Sequence, residues 1–229
     1  MDHRLATAVG ASLAWYADVF ALHGIATETT EGLWRTLGTP PPLHSAAKTL
    51  LPGVPTSRAV AAVAAYDVCS VADSFGDLDL GPHGFDVLID ATWLWHEPLP
   101  PAALPDQWSH VSSEADLADW VDLHGTPGVF PQAVLGHPAF TVLARHDGTA
   151  LTGGAVVHAS EGAVTVAHVF AAPGRPVTVP EWLALAAALH PGRAVVDYAA
   201  GDALAEAREA GFTGVGRQAV WARADVIAS

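Results

Sequence analysis

Three residues in the last third of the chain carry the groups that acid–base chemistry needs: His168, Asp197 and Tyr198. An imidazole titrates near neutrality and can serve as a general base. His168 sits inside the apolar run Val166 to Phe170, so a hydrogen-bonded core histidine is the competing reading. Asp197-Tyr198 closes another apolar run, and strand carboxyl ends often line clefts in α/β folds. A tyrosine there either donates a proton or is buried with its hydroxyl satisfied. Between these residues stands Pro173-Gly174-Arg175-Pro176, a turn after a strand and before a helix. Such a unit can hold phosphate on backbone N–H groups at the positive end of the helix dipole. Thr178 and Glu181 complicate this, because T-x-x-E predicts a capping box that uses those N–H groups and adds a negative charge.

Other chemistry finds less support. Twelve histidines raise the question of a metal, yet no H-x-x-x-H or H-E-x-x-H spacing occurs. His158 and His168 fall on neighbouring strands and are the pair that would share an ion; none is expected. Ser74 lacks a G-x-S-x-G setting. Asp73 reads as a cleft carboxylate or, more simply, as the cap of the turn that follows it.

The elements that must position these groups follow from periodicity and breakers. Leu5 to Leu22 predicts a helix stopped at His23-Gly24. Ile25 to Leu37 predicts a hairpin with a Glu31-Gly32 turn, and Ser45 to Leu51 a short strand. Ser57 is expected to cap a helix reaching Tyr66. Val68 to Ala72 and Phe85 to Trp95 read as strands, and His96 to Pro105, with four prolines, as a linker. Ser113 opens a helix that ends at His124-Gly125. Phe140 to Arg145 and Ala150 to His158 form a hairpin, with Ala163 to Ala171 as the next strand. A helix from Thr178 to Leu189, a strand from Ala194 to Tyr198, a short helix capped by Asp202 and a strand from Val215 to Arg223 complete the chain.

The 229 residues are 51% hydrophobic, enough for a packed core. Ten basic against 24 acidic residues give a net charge of −14, and Lys48 is the only lysine. So acidic a surface repels a phosphate backbone and argues against nucleic acid as a partner. Cys69, the single cysteine, leaves no internal disulfide and reads as a small buried hydrophobe. The N-terminus has no signal-peptide pattern and no apolar run approaches membrane length, so a cytoplasmic protein without a membrane partner is expected.

Landmarks recur in order. Leu22-His23-Gly24 returns as Leu123-His124-Gly125, and Pro52-Gly53-Val54-Pro55 as Pro173-Gly174-Arg175-Pro176. Gly84-Phe85 returns as Gly211-Phe212, and Trp93 as Trp221. The series predicts a duplication, with an abbreviated half over 1–105 and a fuller half over 106–229.

The second half, Val111 to Asp225, runs helix, hairpin, strand, helix, strand, helix, Gly-Phe, strand, ending in Ala203 to Phe212 and beyond. This order resembles the GNAT acyltransferase superfamily. The resemblance implies an α/β (α+β) fold: a mixed, mostly antiparallel sheet with flanking helices, in two tandem copies packed through their sheets or through the Trp-rich strand Phe85 to Trp95. It also implies acetyl-CoA or another acyl-CoA as co-substrate. On it, Val169 and Ala171 would pair with pantetheine, and Gly174, Arg175 and Thr178 would meet the pyrophosphate. The superfamily's R/Q-x-x-G-x-G/A signature is altered here: Arg175 matches its first position, while Thr178 and Pro180 replace the glycines. Proline also removes an N–H donor. The tyrosine the superfamily often places before Gly-Phe is Ala207 here.

The expected activity is acyl transfer from acyl-CoA to a small amine, with His168 or water as base and Tyr198 as acid. Two alternatives stay open. One is a non-catalytic module that binds a small ligand or a protein in a cleft between the halves. The other is a lyase or hydrolase using Asp197 and His168.

Overall fold

In the computed structural model, residues 1–223 are described, so Asp225, the expected end of the second half, lies outside them. Helix α1 (His3–Leu22) starts where the Asp2 carboxylate accepts the Arg4 N–H at 2.9 Å. The hairpin β1 (Thr27–Thr30) and β2 (Leu33–Thr36) turns at Glu31-Gly32, where both residues have positive φ. Strand β3 (Ala47–Thr49), helix α2 (Thr56–Ala62) and strand β4 (Ser70–Asp73) follow. The long β5 (Phe85–His96) leads through the proline-rich segment to β6 (Trp108–His110). Helix α3 (Glu114–His124) opens with Ser113 Oγ accepting the Asp116 N–H, and Gly125 ends it at φ 77. Then come β7 (Phe140–Asp147), β8 (Ala150–Ala159), β9 (Val164–Ala171), α4 (Val179–Leu189), β10 (Val195–Ala199), α5 (Gly201–Glu209) and β11 (Thr213–Arg223).

The eleven strands make one mixed, mostly antiparallel sheet in the order β1-β2-β3-β4-β11-β5-β10-β9-β8-β7-β6. The Trp-rich β5 lies at its centre, antiparallel to both β11 and β10. Chain order is crossed there: β11 pairs with β4, and β5 pairs with β10. Outward from this centre the pairing repeats on both sides as antiparallel, parallel, antiparallel, antiparallel.

Four local expectations differ in the structure, two of them because longer-range contacts intervene. Pro55 rather than Ser57 occupies the N-cap of α2, with no side-chain cap. That helix also stops at Ala62, well before Tyr66. The Tyr66 hydroxyl is drawn to Thr36 O and Gly38 O at 3.3 and 3.1 Å, which turns the chain back toward the hairpin. Ala200, not Asp202, stands at the N-cap of α5; Asp202 sits in its first turn, where it favours the dipole without a cap bond. The Thr178/Glu181 box does not form either. Glu181 Oε1 instead accepts from Arg145 Nε at 2.8 Å and Trp108 Nε1 at 2.9 Å.

Against the expectation of no membrane-length apolar stretch, α1 is long and apolar enough to cross a bilayer by length and composition. Its Ala8, Ala11, Trp15, Val19 and Phe20 are buried, and it packs on β5, β9, β10 and β11. One core lies between α4, α5 and the sheet, through Leu183, Leu185, Val195 and Phe212. Another joins α1 and α3 to β7 and β8 through Trp15, Trp120, Phe140 and Val156. Cys69 is buried among apolar neighbours, as its type suggests.

Candidate functional site

The parallel strands β9 and β10 share a single rung, Val164 with Val195. Beyond it they part. On its other side β9 stays paired with β8, but Gly154 meets Phe170 while Val156 meets Ala167, so His168 and Val169 oppose Ala155 alone. This is a β-bulge, which bends the strand and re-aims a side chain. His168 occupies it at φ 50, a left-handed conformation that histidine tolerates better than bulky or branched residues. Its ring stacks on Trp15 of α1 at 5.6 Å, and Nδ1 lies 3.1 Å from His124 Nε2.

A cavity of about 840 Å³ fills the divergence. Thr165 to Val169 and Val196 to Tyr198 form its two strand walls. Helix α1 contributes Ser12, Trp15 and Tyr16, and the β2–β3 connection contributes Leu43, His44 and Ser45. Leu88, Ile89 and Trp93 of β5 and Trp182 of α4 close it. Consecutive residues of a strand face opposite sides, so Asp197 and Tyr198 flank the opening from the two faces of β10. Tyr198 packs edge-on against Trp93 at 5.6 Å, its partner across the β10–β5 ladder.

Burial sets the titration of these groups. The Asp197 carboxyl is pushed up to about 7 by desolvation, which outweighs the Tyr198 N–H bonded to it at 2.8 Å. The Tyr198 phenol is raised by desolvation, then by Tyr16 and Asp197, although 39% of the residue is exposed, because that exposure faces the cavity. His168 is lowered to about 3 by desolvation and by the nearby His44 and His124. His44 is lowered to about 4, again chiefly by desolvation. Its Nε2 accepts from Trp15 Nε1 at 2.9 Å, so Nδ1 carries the proton and donates to Pro42 O at 2.8 Å. Near neutral pH both imidazoles are therefore uncharged, while Asp197 titrates in that range, as does the buried Lys48, which desolvation lowers to about 7 against the pull of Asp73.

Of the residues singled out in the sequence, the cavity brings together His168, Val169, Asp197 and Tyr198. Ala171, Gly174, Arg175 and Thr178 lie outside it. Arg175 pairs with Asp147 at the tip of the β7–β8 hairpin, and Arg145 Nη1 donates to Arg175 O at 3.1 Å. The loop's donors are also partly spent. The Arg175 N–H bonds Ala172 O, and the Glu181 and Trp182 N–H groups both bond Thr178 O. Pro176 and Pro180 have none, which leaves Gly174, Val177, Thr178 and Val179 to meet an anion.

His158 does not face His168. It is fully buried with Nε2 2.8 Å from Asp18 Oδ2, and Trp15 touches both imidazoles and lies between them. Among the described residues no three His, Cys, Asp or Glu side chains converge as metal ligands. Asp73 caps its turn, accepting N–H groups of Phe75, Gly76 and Leu78 at 3.2, 3.1 and 2.9 Å. Sequence reasoning missed Trp15, His44 and His124 in the cluster around His168. Trp15 falls within the helix expected over Leu5 to Leu22, beside the apolar Leu13, Val19 and Phe20 at helical spacing, and that is the hint the sequence offers.

The fold is similar to solved GNAT structures at low identity. A GCN5-related N-acetyltransferase from Kribbella flavida superposes with a TM-score of 0.61 at 15% identity, over 93% of this chain and 95% of that one. A GNAT-family protein from Novosphingobium aromaticivorans gives 0.60 at 14%, over 96% and 95%. A functionally unknown conserved protein from Staphylococcus epidermidis gives 0.59 at 11%, over 91% and 96%. No protein-family model matches the chain and no curated protein is similar to it. The likeness is one of fold: α+β, GNAT-like, built on a single sheet.

Proposed function

We infer that the chain transfers an acyl group from acyl-coenzyme A to an amine held in the cavity between β9 and β10. The observation that carries this reading is the opening itself: a parallel strand pair that parts after one rung, a bulge at His168, and a carboxyl titrating near neutrality at the gap. The GNAT-like fold supports it by analogy only. The edge of β9 beyond Val164 has backbone groups free toward β10, so Val169 and Ala171 suit an extended pantetheine arm. The loop suits the pyrophosphate less well, because Arg175 and Arg145 already hold carboxylates.

Bound acyl-coenzyme A would supply an activated thioester carbon. The acceptor ammonium first gives one proton to solvent; Asp197, as carboxylate, then takes the second, released as the amine nitrogen bonds that carbon, a role matched to a group near pH 7. The carbon–sulfur bond breaks, and Tyr198, kept protonated by burial, lies where it can return a proton to sulfur. Amine and thioester thus become amide and thiol with protons balanced through solvent. His168, held at about 3, is the weaker base and is read as a positioning residue for the bulge.

The mirrored pairing pattern around β5 and β11 supports reading 1–105 and 106–229 as tandem GNAT-like copies that exchange their last strands. The paired loop arginines favour one alternative, a non-catalytic module that keeps the cavity but binds no acyl-CoA. Both readings face one assay: thiol release from acetyl-CoA across a panel of primary amines. Transfer predicts amine-dependent release that drops about 100-fold or more in Asp197→Asn. Absence of release with every amine supports the module.

A further inference from the structure

The acceptor's chemistry can be read from what the cavity lacks. Among the described residues lining it there is no lysine or arginine, and Asp197 is its only carboxylate. Lys48 is not among the lining residues, although its Nζ lies over the Tyr16 and Trp93 rings at 5.4 and 5.2 Å, and burial lowers it to about 7. His44 and His168 are neutral near pH 7, so the lining itself offers no cation to an anionic group. A ligand carboxylate or phosphate would be buried unpaired, and a second ligand ammonium would likewise find no partner. The rest of the surface is aromatic and aliphatic: Trp15, Trp93, Trp182, Ile89 and Val196 inside. Leu43, Val68 and Leu88 at the mouth are 68, 60 and 49% exposed. Leu43 is held outward by a backbone at φ 65, a conformation unfavourable for leucine. Clustered apolar side chains at an opening mark a surface that meets an apolar ligand.

We propose that this cavity binds an apolar-bodied monoamine, its single ammonium against Asp197 and its body passing through the β9–β10 gap to Trp15, Trp93 and the Leu43/Val68/Leu88 rim. The inference rests on the transferase reading for the amine's role as acceptor, but its test does not involve transfer. The full chain is titrated without acyl-coenzyme A, reading quenching of the cavity tryptophans by four probes. These are 2-phenylethylamine, 2-phenylethanol (no charge), phenylalanine (added carboxylate) and 1,4-diaminobutane (two charges, little body).

The expected order places 2-phenylethylamine at least about tenfold tighter than the alcohol, with phenylalanine and the diamine weakest. Asp197→Asn should bring the amine down to the level of the alcohol. Ser12→Phe, which fills the cavity, should weaken amine and alcohol alike, and Leu88→Gln on the exposed rim repeats that test in a variant with an unchanged interior and no added charge. Phenylalanine or the diamine binding as tightly as 2-phenylethylamine would overturn the proposal. So would the absence of saturable quenching, or amine binding indifferent to both cavity variants. Amine binding without thiol release in the transfer assay leaves this inference standing and removes the transferase reading. Transfer to anionic or polycationic acceptors alone does the reverse.

Discussion

Desolvation moves Asp197 and His168 in opposite directions, because it disfavours the charged form of each: the carboxyl rises to about 7 and the imidazole falls to about 3. The consequences for stability have opposite signs. Folded Asp197 keeps its proton where the unfolded chain has lost it, so its contribution is complete below about pH 4 and disappears as pH rises through about 7. Folded His168 refuses a proton that the unfolded chain accepts, so the penalty grows as pH falls below about 6.5 toward 3. Thermal unfolding should therefore find Asp197→Asn as stable as the parent near pH 4 and more stable at pH 8. His168→Asn, which also tolerates positive φ, should flatten the acid side of the curve. A constant offset across pH in either variant would contradict these assignments. The catalytic roles proposed for the pair depend on the same displacement: of the two, only Asp197 changes charge in the neutral range.

The elements around the site are held by close packing and by charges that answer one another. Gly154 on β8 lies beneath Trp120 and Phe170; a methyl group there would meet Phe170 ring atoms at 2.6 Å and strike Trp120 Nε1, which donates to Leu143 O at 3.0 Å. Gly154→Ala should cost about 1–3 kcal/mol in denaturant unfolding, and a neutral result would mean that α3 is free to shift. The turn before α4 is held by the exposed Arg175–Asp147 pair. Asp147→Asn should release Arg175 and tighten acetyl-CoA binding by about two- to fivefold at low salt, with little change in melting temperature. What was legible in the sequence follows from range. Ser113 and Gly125 delimit α3 by contacts within the helix, and those expectations hold. Thr178 and Glu181 obey the same local rule and fail, because Arg145, distant in the chain, draws Glu181 away once the fold forms. Asp197, Tyr198 and His168 were visible as polar residues in apolar strands. Trp15 and His44 were not, since their hydrogen bond joins a helix to a distant connection.

At the scale of the whole molecule, the crossed order β4-β11-β5-β10 ties both ends of the chain into one sheet. Residues 106–229 alone would leave β10 without β5 and β11 without either neighbour, exposing two central strand edges. Expressed separately, 1–105 and 106–229 should be unfolded or aggregated by circular dichroism and gel filtration, and co-expression should restore a one-to-one complex. A folded monomer of 106–229 would show that the pairings with β4 and β5 are dispensable. The same architecture places the β9–β10 gap beside α1, so the proposed donor and acceptor sites share a cavity lined by residues from α1 to β11. Whether that gap admits an acyl donor is tested most directly by calorimetric titration of the intact protein with acetyl-coenzyme A. The account predicts saturable binding with a dissociation constant of about 10 µM to 1 mM, weakened by Arg175→Ala. No heat and no thermal stabilisation at millimolar ligand would contradict it.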